Sequence, residues 1–118
     1  MDNKGWVDLT TTEQLSHILQ LSHPESSNGV LIFKHSTRCS ISTMAKSRLE
    51  RSWNFEPEKL PLFYLDLISY REISNSIANQ LGVKHESPQI LLVKNGKCVY
   101  NASHSDVSVE NINDFLNY

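Results

Sequence analysis

A cysteine that follows a run of apolar residues is the part of this sequence best suited to chemistry. Cys39 stands in the stretch HSTRCSIS, residues 35 to 42, shortly after the apolar run VLIF, and Ser42 lies three positions beyond it. A cysteine thiolate is the nucleophile of thiol–disulfide exchange. Proteins that exchange thiols through two cysteines carry the second one where Ser42 stands, whereas a serine cannot close a disulfide. One helical turn beyond Cys39, the Ser42 hydroxyl is expected to point back towards the sulfur and donate a hydrogen bond to it. The spacing therefore predicts a reaction that uses one thiol, with Cys39 and Ser42 as its catalytic pair.

One thiol in this position can accept a small thiol from a mixed disulfide. The sulfur of Cys39 attacks, the substrate protein leaves in its reduced form, and the small group stays on Cys39 until a second small thiol removes it. A lone cysteine is more commonly a buried structural residue or an incidental helix cap. The location of Cys39 after an apolar strand favours the reactive interpretation.

The other residues capable of chemistry give weaker signals. Cys98 falls in the last predicted strand, and we expect it to be a packed apolar residue rather than a second reactive thiol. His35 ends the strand before Cys39 and could tune the thiol, carry a proton or serve as a hydrogen-bonded structural residue. The two cysteines of the chain are too few for a structural zinc site, and the histidines show no metal-ligand spacing. We therefore expect no bound metal and no bound cofactor.

Basic residues cluster around Cys39 in the sequence, although the whole chain has a net charge of -2. The clustering predicts a local cationic surface beside the cysteine, although a solvated helix face is the favoured interpretation for most of these charges. Nucleic acid is not an expected partner, because the chain lacks a basic stripe with interleaved aromatic residues. The basic side chains of residues 34 to 51 are Lys34, Arg38, Lys46, Arg48 and Arg51.

A strand and a helix must position Cys39. The run VLIF, residues 30 to 33, has no polar alternation, which predicts a central strand covered on both faces. A helix is predicted to begin at or just after Cys39, so that its first backbone N–H groups and its dipole face the thiol and stabilise the thiolate. The side chains expected on its buried face recur every four residues: Ile41, Ala45, Leu49 and Trp53, with Met44 beside them.

Strand and helix patterns alternate along the rest of the chain. A short strand is predicted around Trp6-Val7, and a helix follows from a capping box over residues 10 to 13 to near His23-Pro24. A strand over residues 61 to 65 leads to a second capping box, residues 69 to 72, and a helix that stops at Gly82. The chain then gives a strand over residues 89 to 93, a type I′ turn at Asn95-Gly96, a strand over residues 98 to 100 and a last helix capped by Ser105 or Ser108.

This order of elements predicts an α/β fold. Strands joined through helices are expected to run parallel, so the economical packing is a mixed central sheet with helices on both faces and a C-terminal β-hairpin plus helix. That arrangement is the thioredoxin-like fold. A ferredoxin-like sheet would not supply the N-terminal strand and helix. The length of 118 residues predicts one domain over residues 1–118.

Two stretches of the chain resemble the monothiol bacilliredoxins of the YtxJ type. They are FKHSTRCSIS, residues 33 to 42, and GVKHESPQILL, residues 82 to 92. Members of that family usually read Cys-Pro-Ile-Ser, so Ser40 departs from the pattern. The resemblance implies removal of bacillithiol, a cysteine-glucosamine-malate thiol, from proteins that carry it as a mixed disulfide. It makes Cys39 the nucleophile and Ser42 the position that cannot resolve the mixed disulfide.

The same resemblance implies residues that contact the substrate. Pro88 would be a cis-proline that faces the cysteine, and Ser87 would offer its backbone to an extended substrate. The base rate of X-Pro bonds by itself favours a trans proline at the start of a strand. Thr37 and Arg38 precede the cysteine and are candidate contacts for the small thiol, whose carboxylates suit a cationic partner.

Two other functions stay open at this stage. A glutaredoxin-like carrier could hold an iron–sulfur cluster or a small thiol through Cys39, although such proteins resemble Cys-Gly-Phe-Ser. A redox-inert interaction module could retain the fold alone. The N-terminus lacks a charged start followed by an apolar run, and no stretch is long enough to span a bilayer. We therefore expect a cytoplasmic monomer that acts on S-thiolated client proteins with a low-molecular-weight thiol as co-substrate.

Overall fold

Five strands and four helices alternate along residues 5–23 and 28–117, which are the residues that the computed structural model describes. The strands are β1 (Val7–Asp8), β2 (Val30–His35), β3 (Leu62–Asp66), β4 (Gln89–Lys94) and β5 (Lys97–Ser103). The helices are α1 (Thr12–Leu21), α2 (Ser40–Ser52), α3 (Arg71–Leu81) and α4 (Val109–Leu116), and a 3₁₀ turn over His104–Asp106 precedes α4. The predicted order of elements is confirmed. The helix α1 ends shortly before the predicted stop at His23-Pro24, of which Pro24 lies outside the described residues.

The strands form one mixed sheet in the order β1-β3-β2-β4-β5. Strand β2 lies in the middle of this order and is buried along its whole length, as its unbroken apolar run predicted. Strands β1 and β2 both pair with β3 in parallel. Strands β4 and β2 are antiparallel, and so are β5 and β4.

The direction of β4 corrects the expectation that strands joined through a helix run parallel. The segment of residues 82 to 88 between α3 and β4 can span about 20 Å when extended. It returns the chain to the beginning of α3, where His85 Nδ1 lies 3.2 Å from Ser74 Oγ. Strand β4 therefore starts beside the end of β2, with Gln89 opposite Lys34.

Two apolar layers cover the faces of the sheet, and the prediction of helices on both faces is confirmed. Helices α2 and α4 pack on one face with Phe33, and α1 and α3 pack on the other with Ile32. Alternation along β2 sends neighbouring side chains to opposite layers. The buried helix residues are Ala45, Leu49, Val109 and Ile112 in the first layer and Leu15, Ile18, Ile73 and Ile77 in the second.

The two predicted capping boxes require correction. Helix α1 is capped by Thr11 rather than Thr10: the Thr11 hydroxyl accepts from Gln14 N–H at 3.3 Å, and Gln14 Oε1 accepts from Thr11 N–H at 3.0 Å. Helix α3 has Tyr70 at its N-cap without a side-chain cap. The hydroxyl of Ser69 instead donates to an Asp66 carboxylate oxygen at 3.0 Å. Ser69, the expected cap, therefore bonds to the carboxylate of Asp66 and does not cap the helix.

The C-terminal hairpin and helix form as predicted. Asn95 and Gly96 both have positive φ values, 56° and 76°, as a type I′ turn requires. Of the two candidate caps of α4, Ser108 is the cap, and its hydroxyl accepts from Asn111 N–H at 3.1 Å. Gly82 ends α3 in the left-handed region with φ 67°, which confirms its predicted role as a stop.

Candidate active site

Cys39 occupies the N-cap of α2, which begins at Ser40, as the sequence predicted. Its backbone is extended, with φ -112° and ψ 122°, and its N–H donates to Ser36 C=O at 3.2 Å. The Cys39 C=O accepts from Thr43 N–H at 3.0 Å, which starts the helical ladder. The thiol is partly exposed and makes no capping hydrogen bond. The sulfur is thus available at the amino end of a helix.

Ser42 is one turn beyond Cys39 and does not direct its hydroxyl at the thiol in the way we expected. Its side chain is fully buried, at 0% exposure. Ser42 Oγ accepts from Ser36 N–H at 3.0 Å and lies 2.7 Å from His35 Nδ1. The hydroxyl is therefore engaged by the residues at the end of β2, because the helix places it against that strand.

His35 is the second buried polar residue next to the cysteine turn. Its imidazole is 4% exposed and packs against the rings of Phe33 and Tyr64, with centroids 5.9 and 5.8 Å away. Burial lowers the pKa of His35, and the positive charge of Lys46 lowers it further, while Asp66 opposes both effects. His35 is therefore neutral at physiological pH. One ring nitrogen then donates and the other accepts.

Lys34 is not part of a cationic surface, contrary to the prediction. It is fully buried, and its Nζ donates to Ser74 C=O at 3.2 Å and contacts His85 Nδ1 at 3.4 Å on the α3 side of the sheet. Burial lowers the pKa of Lys34 to about 8. Burial is also the first cause that lowers the pKa of His85, followed by the charge of Lys34.

Two further basic residues are also engaged. Arg48 donates to Val107 C=O and His104 C=O, both at 3.1 Å, and Lys46 pairs with Glu50 at 2.9 Å. Arg38 and Arg51 are exposed. The cationic surface predicted beside Cys39 is therefore smaller than the sequence indicated, with Arg38 as its nearest member along the chain.

The predicted substrate-binding residues lie at the same edge of the sheet as Cys39. Thr37 and Arg38 are exposed in the turn that precedes it. The pairing of Lys34 with Gln89 places the Ser87–Pro88 segment beside the end of β2. The Ser87–Pro88 peptide bond is cis.

The segment before β4 is held from within. The side chain of Gln89 is buried, donates to Lys84 C=O at 3.0 Å and accepts from Glu86 N–H at 3.4 Å. The C=O of Pro88 accepts from His104 N–H at 3.0 Å. The buried Ser87 Oγ has no hydrogen-bond partner among residues 5–23 and 28–117.

The first turns of α2 expose two apolar side chains that we expected to be buried. Ile41 is 55% exposed and Met44 is 65% exposed, whereas Ser42 and Ala45 take the buried positions. Ile41 and Met44, together with Arg48, line a cavity of about 180 Å³. The expectation was wrong because Ser42, not Ile41, faces the strand.

Cys98 lies near the other end of the sheet. It pairs with Val93, and Val93 pairs with Val30 at the start of β2. The distance from this level to the end of β2 is about 16 Å along the strand. The Cys98 thiol is half-buried and donates to Tyr100 C=O at 3.3 Å, and burial raises its pKa. Cys98 thus packs as predicted and is remote from Cys39.

The sequence left the role of His35 open and did not reveal the partners of Lys34. The signal for both was present, since a strand buried on both faces forces its polar residues to find internal partners. What the sequence lacked was the identity of those partners. Ser42, Ser74 and His85 lie far from β2 along the chain or on other elements.

A cysteine at the N-cap after the central strand, beside the segment that leads into the antiparallel hairpin, defines an oxidoreductase of the thioredoxin-fold class. The family model described as monothiol bacilliredoxin BrxC matches residues 7–112 of the chain. The chain belongs to this family, and the resemblance inferred from its two motifs is confirmed. The site has no second cysteine at position 42, which agrees with the monothiol description.

Solved structures confirm the fold. A protein described as having a thioredoxin fold shares 27% sequence identity, with a TM-score of 0.73 over 97% of this chain and 95% of the other. Thioredoxin from Trypanosoma brucei brucei shares 13% identity, with a TM-score of 0.69 over 99% of this chain and 96% of the other. A thioredoxin from Malassezia sympodialis shares 17% identity, with a TM-score of 0.68 over 99% and 93%. These likenesses establish the thioredoxin-like α/β fold.

Two other kinds of site are absent from the residues that the structure describes. Within residues 5–23 and 28–117, no helix has the length and apolar character needed to cross a membrane. The same residues bring together no group of three or more His, Cys, Asp and Glu side chains that could hold a metal ion.

Proposed function

We propose that this protein removes a low-molecular-weight thiol, bacillithiol, from protein mixed disulfides through Cys39. The observation that carries the proposal is the isolation of one partly exposed thiol at the start of α2. Ser42 occupies the position of a resolving cysteine, and Cys98 lies at the far end of the sheet. Since a disulfide needs Cα atoms within about 7 Å, Cys39 has no partner inside the chain.

The reaction uses two exchange steps. The Cys39 thiolate attacks the small-thiol sulfur of the mixed disulfide, the S–S bond breaks, and the client cysteine leaves as a thiolate that takes up a proton. Cys39 now carries the small thiol as a mixed disulfide. A second small-thiol molecule, as its thiolate, attacks that sulfur, which releases the Cys39 thiolate and a symmetric small-molecule disulfide. Overall, the client cysteine is reduced and one free small thiol is oxidised, so that it leaves with the small thiol taken from the client as one symmetric disulfide.

The surroundings of Cys39 support this substrate class. Family membership favours bacillithiol over other small thiols. Thr37 and Arg38 are exposed directly before the cysteine, where a guanidinium can bind the carboxylates of a small thiol. The Ser87–Pro88 segment lies at the same edge and is our candidate for the backbone that pairs with the client. We place the reaction in the cytoplasm, because two unpaired cysteines suit a reducing compartment.

Intact-mass spectrometry of single-turnover mixtures tests the proposal. The reduced protein is incubated with a bacillithiolated client and, separately, with the same client glutathionylated. We expect the small thiol to move from the client to Cys39, with Cys98 unmodified and with faster transfer of bacillithiol. A Cys98→Ser variant should transfer at the wild-type rate, and Cys39→Ser should not transfer at all.

Three results would contradict the proposal in different ways. A stable disulfide between Cys39 and Cys98 would contradict the one-thiol scheme. Equal loss of client adduct with wild type and Cys39→Ser would indicate a redox-inert module. Faster transfer of glutathione would show that bacillithiol is not the preferred thiol, although the type of reaction would still be supported.

A further inference from the structure

The peptide groups of Ser36 connect Cys39 to Ser42. Ser36 N–H donates to Ser42 Oγ at 3.0 Å, and Ser36 C=O accepts from Cys39 N–H at 3.2 Å. The three-residue turn between His35 and Cys39 is therefore tied at its first residue from both sides. A movement of Ser42 Oγ would displace Ser36 and, through it, the backbone of Cys39.

His35 holds the Ser42 hydroxyl in place. The Ser42 side chain is fully buried, so no solvent can replace a lost partner without rearrangement. Its oxygen accepts from Ser36 N–H, and its remaining partner is His35 Nδ1 at 2.7 Å. This contact persists in either protonation state. An unprotonated Nδ1 accepts a hydrogen bond from the Ser42 hydroxyl, whereas a protonated Nδ1 donates one to the hydroxyl oxygen.

We propose that His35 is a positioning residue for exchange at Cys39, acting through Ser42 to hold the turn of residues 36 to 38. The role rests on the proposed function of Cys39 as the nucleophile. It differs from simple packing, because it depends on a directional hydrogen bond. The packing of the imidazole against Phe33 and Tyr64 would survive replacement by another side chain of similar volume.

The charged groups around His35 do not replace this contact. Lys46 and Glu50 face the imidazole from α2, and Asp66 faces it from β3. Lys46 and Glu50 pair with each other at 2.9 Å, and an Asp66 carboxylate oxygen accepts from Ile68 N–H at 3.1 Å. Each of these groups is thus engaged elsewhere, and Ser42 is the hydrogen-bond partner of Nδ1.

The test measures alkylation of Cys39 by iodoacetamide at pH 7 in a Cys98→Ser background, in which Cys39 is the one cysteine left. His35→Leu keeps the volume and removes the hydrogen bond, so we expect alkylation to be about fivefold slower, the equivalent of one hydrogen bond. His35→Asn places an amide group close to the position of Nδ1 and should stay within about twofold of the parent. His35→Gln, whose amide reaches towards the Nε2 position instead, should be as slow as His35→Leu.

A double-mutant cycle shows whether the effect runs through Ser42. In a Ser42→Ala background, His35→Leu should change the rate less than about twofold, because the partner is already gone. An equal loss in both backgrounds, no loss in His35→Leu, or failure of His35→Asn to restore the rate would overturn the proposal. If His35→Leu does not fold, the comparison of His35→Asn with His35→Gln decides alone.

Alkylation keeps this proposal separate from the function of the protein. Iodoacetamide reports the presentation of the thiol and needs neither bacillithiol nor a client. If the His35 variants differ in alkylation rate as expected but the protein transfers no thiol, the proposed function is contradicted and the proposed role of His35 is still supported. Thermal unfolding of each variant confirms that rates are compared among folded proteins.

Discussion

Lys34 and His35 are neighbours in the sequence and serve opposite faces of the sheet. Alternation along β2 directs His35 to Ser42 on α2 and Lys34 to Ser74 on α3. Burial lowers the pKa of both side chains. The consequences differ, because a neutral histidine keeps its hydrogen-bonding capacity at pH 7, whereas a lysine with a pKa of about 8 is still largely charged there.

The burial of Lys34 predicts a pH-dependent stability. Its pKa is about 8 in the folded protein and 10.5 as the ordinary value, so the unfolded chain binds more protons between these pH values. The free energy of unfolding therefore rises as the pH increases from 8 to 10.5. At pH 7 the buried ammonium group of Lys34 lowers the free energy of unfolding by about 3 kcal/mol. Lys34→Met should raise the free energy of unfolding at pH 7 by about 1–3 kcal/mol and remove this rise.

Urea unfolding at pH 7 and pH 10 measures both effects. Lys97→Met, a substitution on the exposed side of β5, is the matched control and should change the free energy of unfolding by less than about 0.5 kcal/mol. A Lys34→Met variant that is less stable than wild type at both pH values would show that the contacts with Ser74 and His85 outweigh the desolvation of the ammonium group.

The spacing of Cys39 and Ser42 predicts a candidate reaction but not the contacts that support it. The separation of Cys39 and Ser42 was sufficient to predict one-thiol chemistry, because the resolving position is defined by one helical turn. The partner of the Ser42 hydroxyl was wrongly expected to be the sulfur. His35 and Ser36 both contact this oxygen, and their placement at the end of β2 brings His35 Nδ1 within 2.7 Å and Ser36 N within 3.0 Å of it.

The N-terminus of α1 shows how a helix selects its cap among equivalent residues. Both Thr10 with Glu13 and Thr11 with Gln14 fit the capping-box pattern. The structure has Thr11 at the N-cap, where its hydroxyl accepts from Gln14 N–H and Gln14 Oε1 accepts from Thr11 N–H. The local pattern therefore locates this helix start to within one residue.

A pair of substitutions tests this selection. Thr11→Ala removes the hydroxyl that accepts from Gln14 N–H and should lower the free energy of unfolding by about 1 kcal/mol. Thr10→Ala should cost less than about 0.5 kcal/mol, because the main contact of Thr10 is its backbone N–H, which donates to Gln14 Oε1 at 2.7 Å. Chemical denaturation of both variants gives the comparison. Equal losses would mean that the two threonines share the cap.

The two thiols lie at different ends of the whole molecule. The register of β5 on β4 and of β4 on β2 sets Cys98 level with the start of β2, whereas Cys39 follows its end. The separation thus depends on the pairing of β2 with β4, which lie far apart in the sequence, and on the register of the hairpin that joins β4 to β5. Neither local patterns nor the count of cysteines contains this information.

Oxidation of the wild-type protein checks the separation. Diamide at low protein concentration should give no internal disulfide, and the first product should be a dimer joined through Cys39. Cys98 should react more slowly with iodoacetamide at pH 7, because burial raises its pKa and its S–H donates to Tyr100 C=O. Unfolding in urea should abolish this difference. An internal disulfide in the folded monomer would show that the sheet register opens readily.

Features that depend on neighbours along the chain could be predicted from the sequence. These features are the order of strands and helices, the start of α2 after Cys39, the hairpin turn at Asn95-Gly96 and the absence of a resolving thiol at position 42. Periodicity, capping and turn chemistry act over a few residues, so they can be recognised in the sequence.

Long-range packing sets three features that the sequence did not predict: the antiparallel direction of β4, the burial of Lys34 against α3 and the hydrogen bond between His35 and Ser42. Each depends on which distant segments the packing of both apolar layers brings together. A buried polar group must find a partner, but the sequence does not say which one, because several partners satisfy the same bond and the fold selects among them.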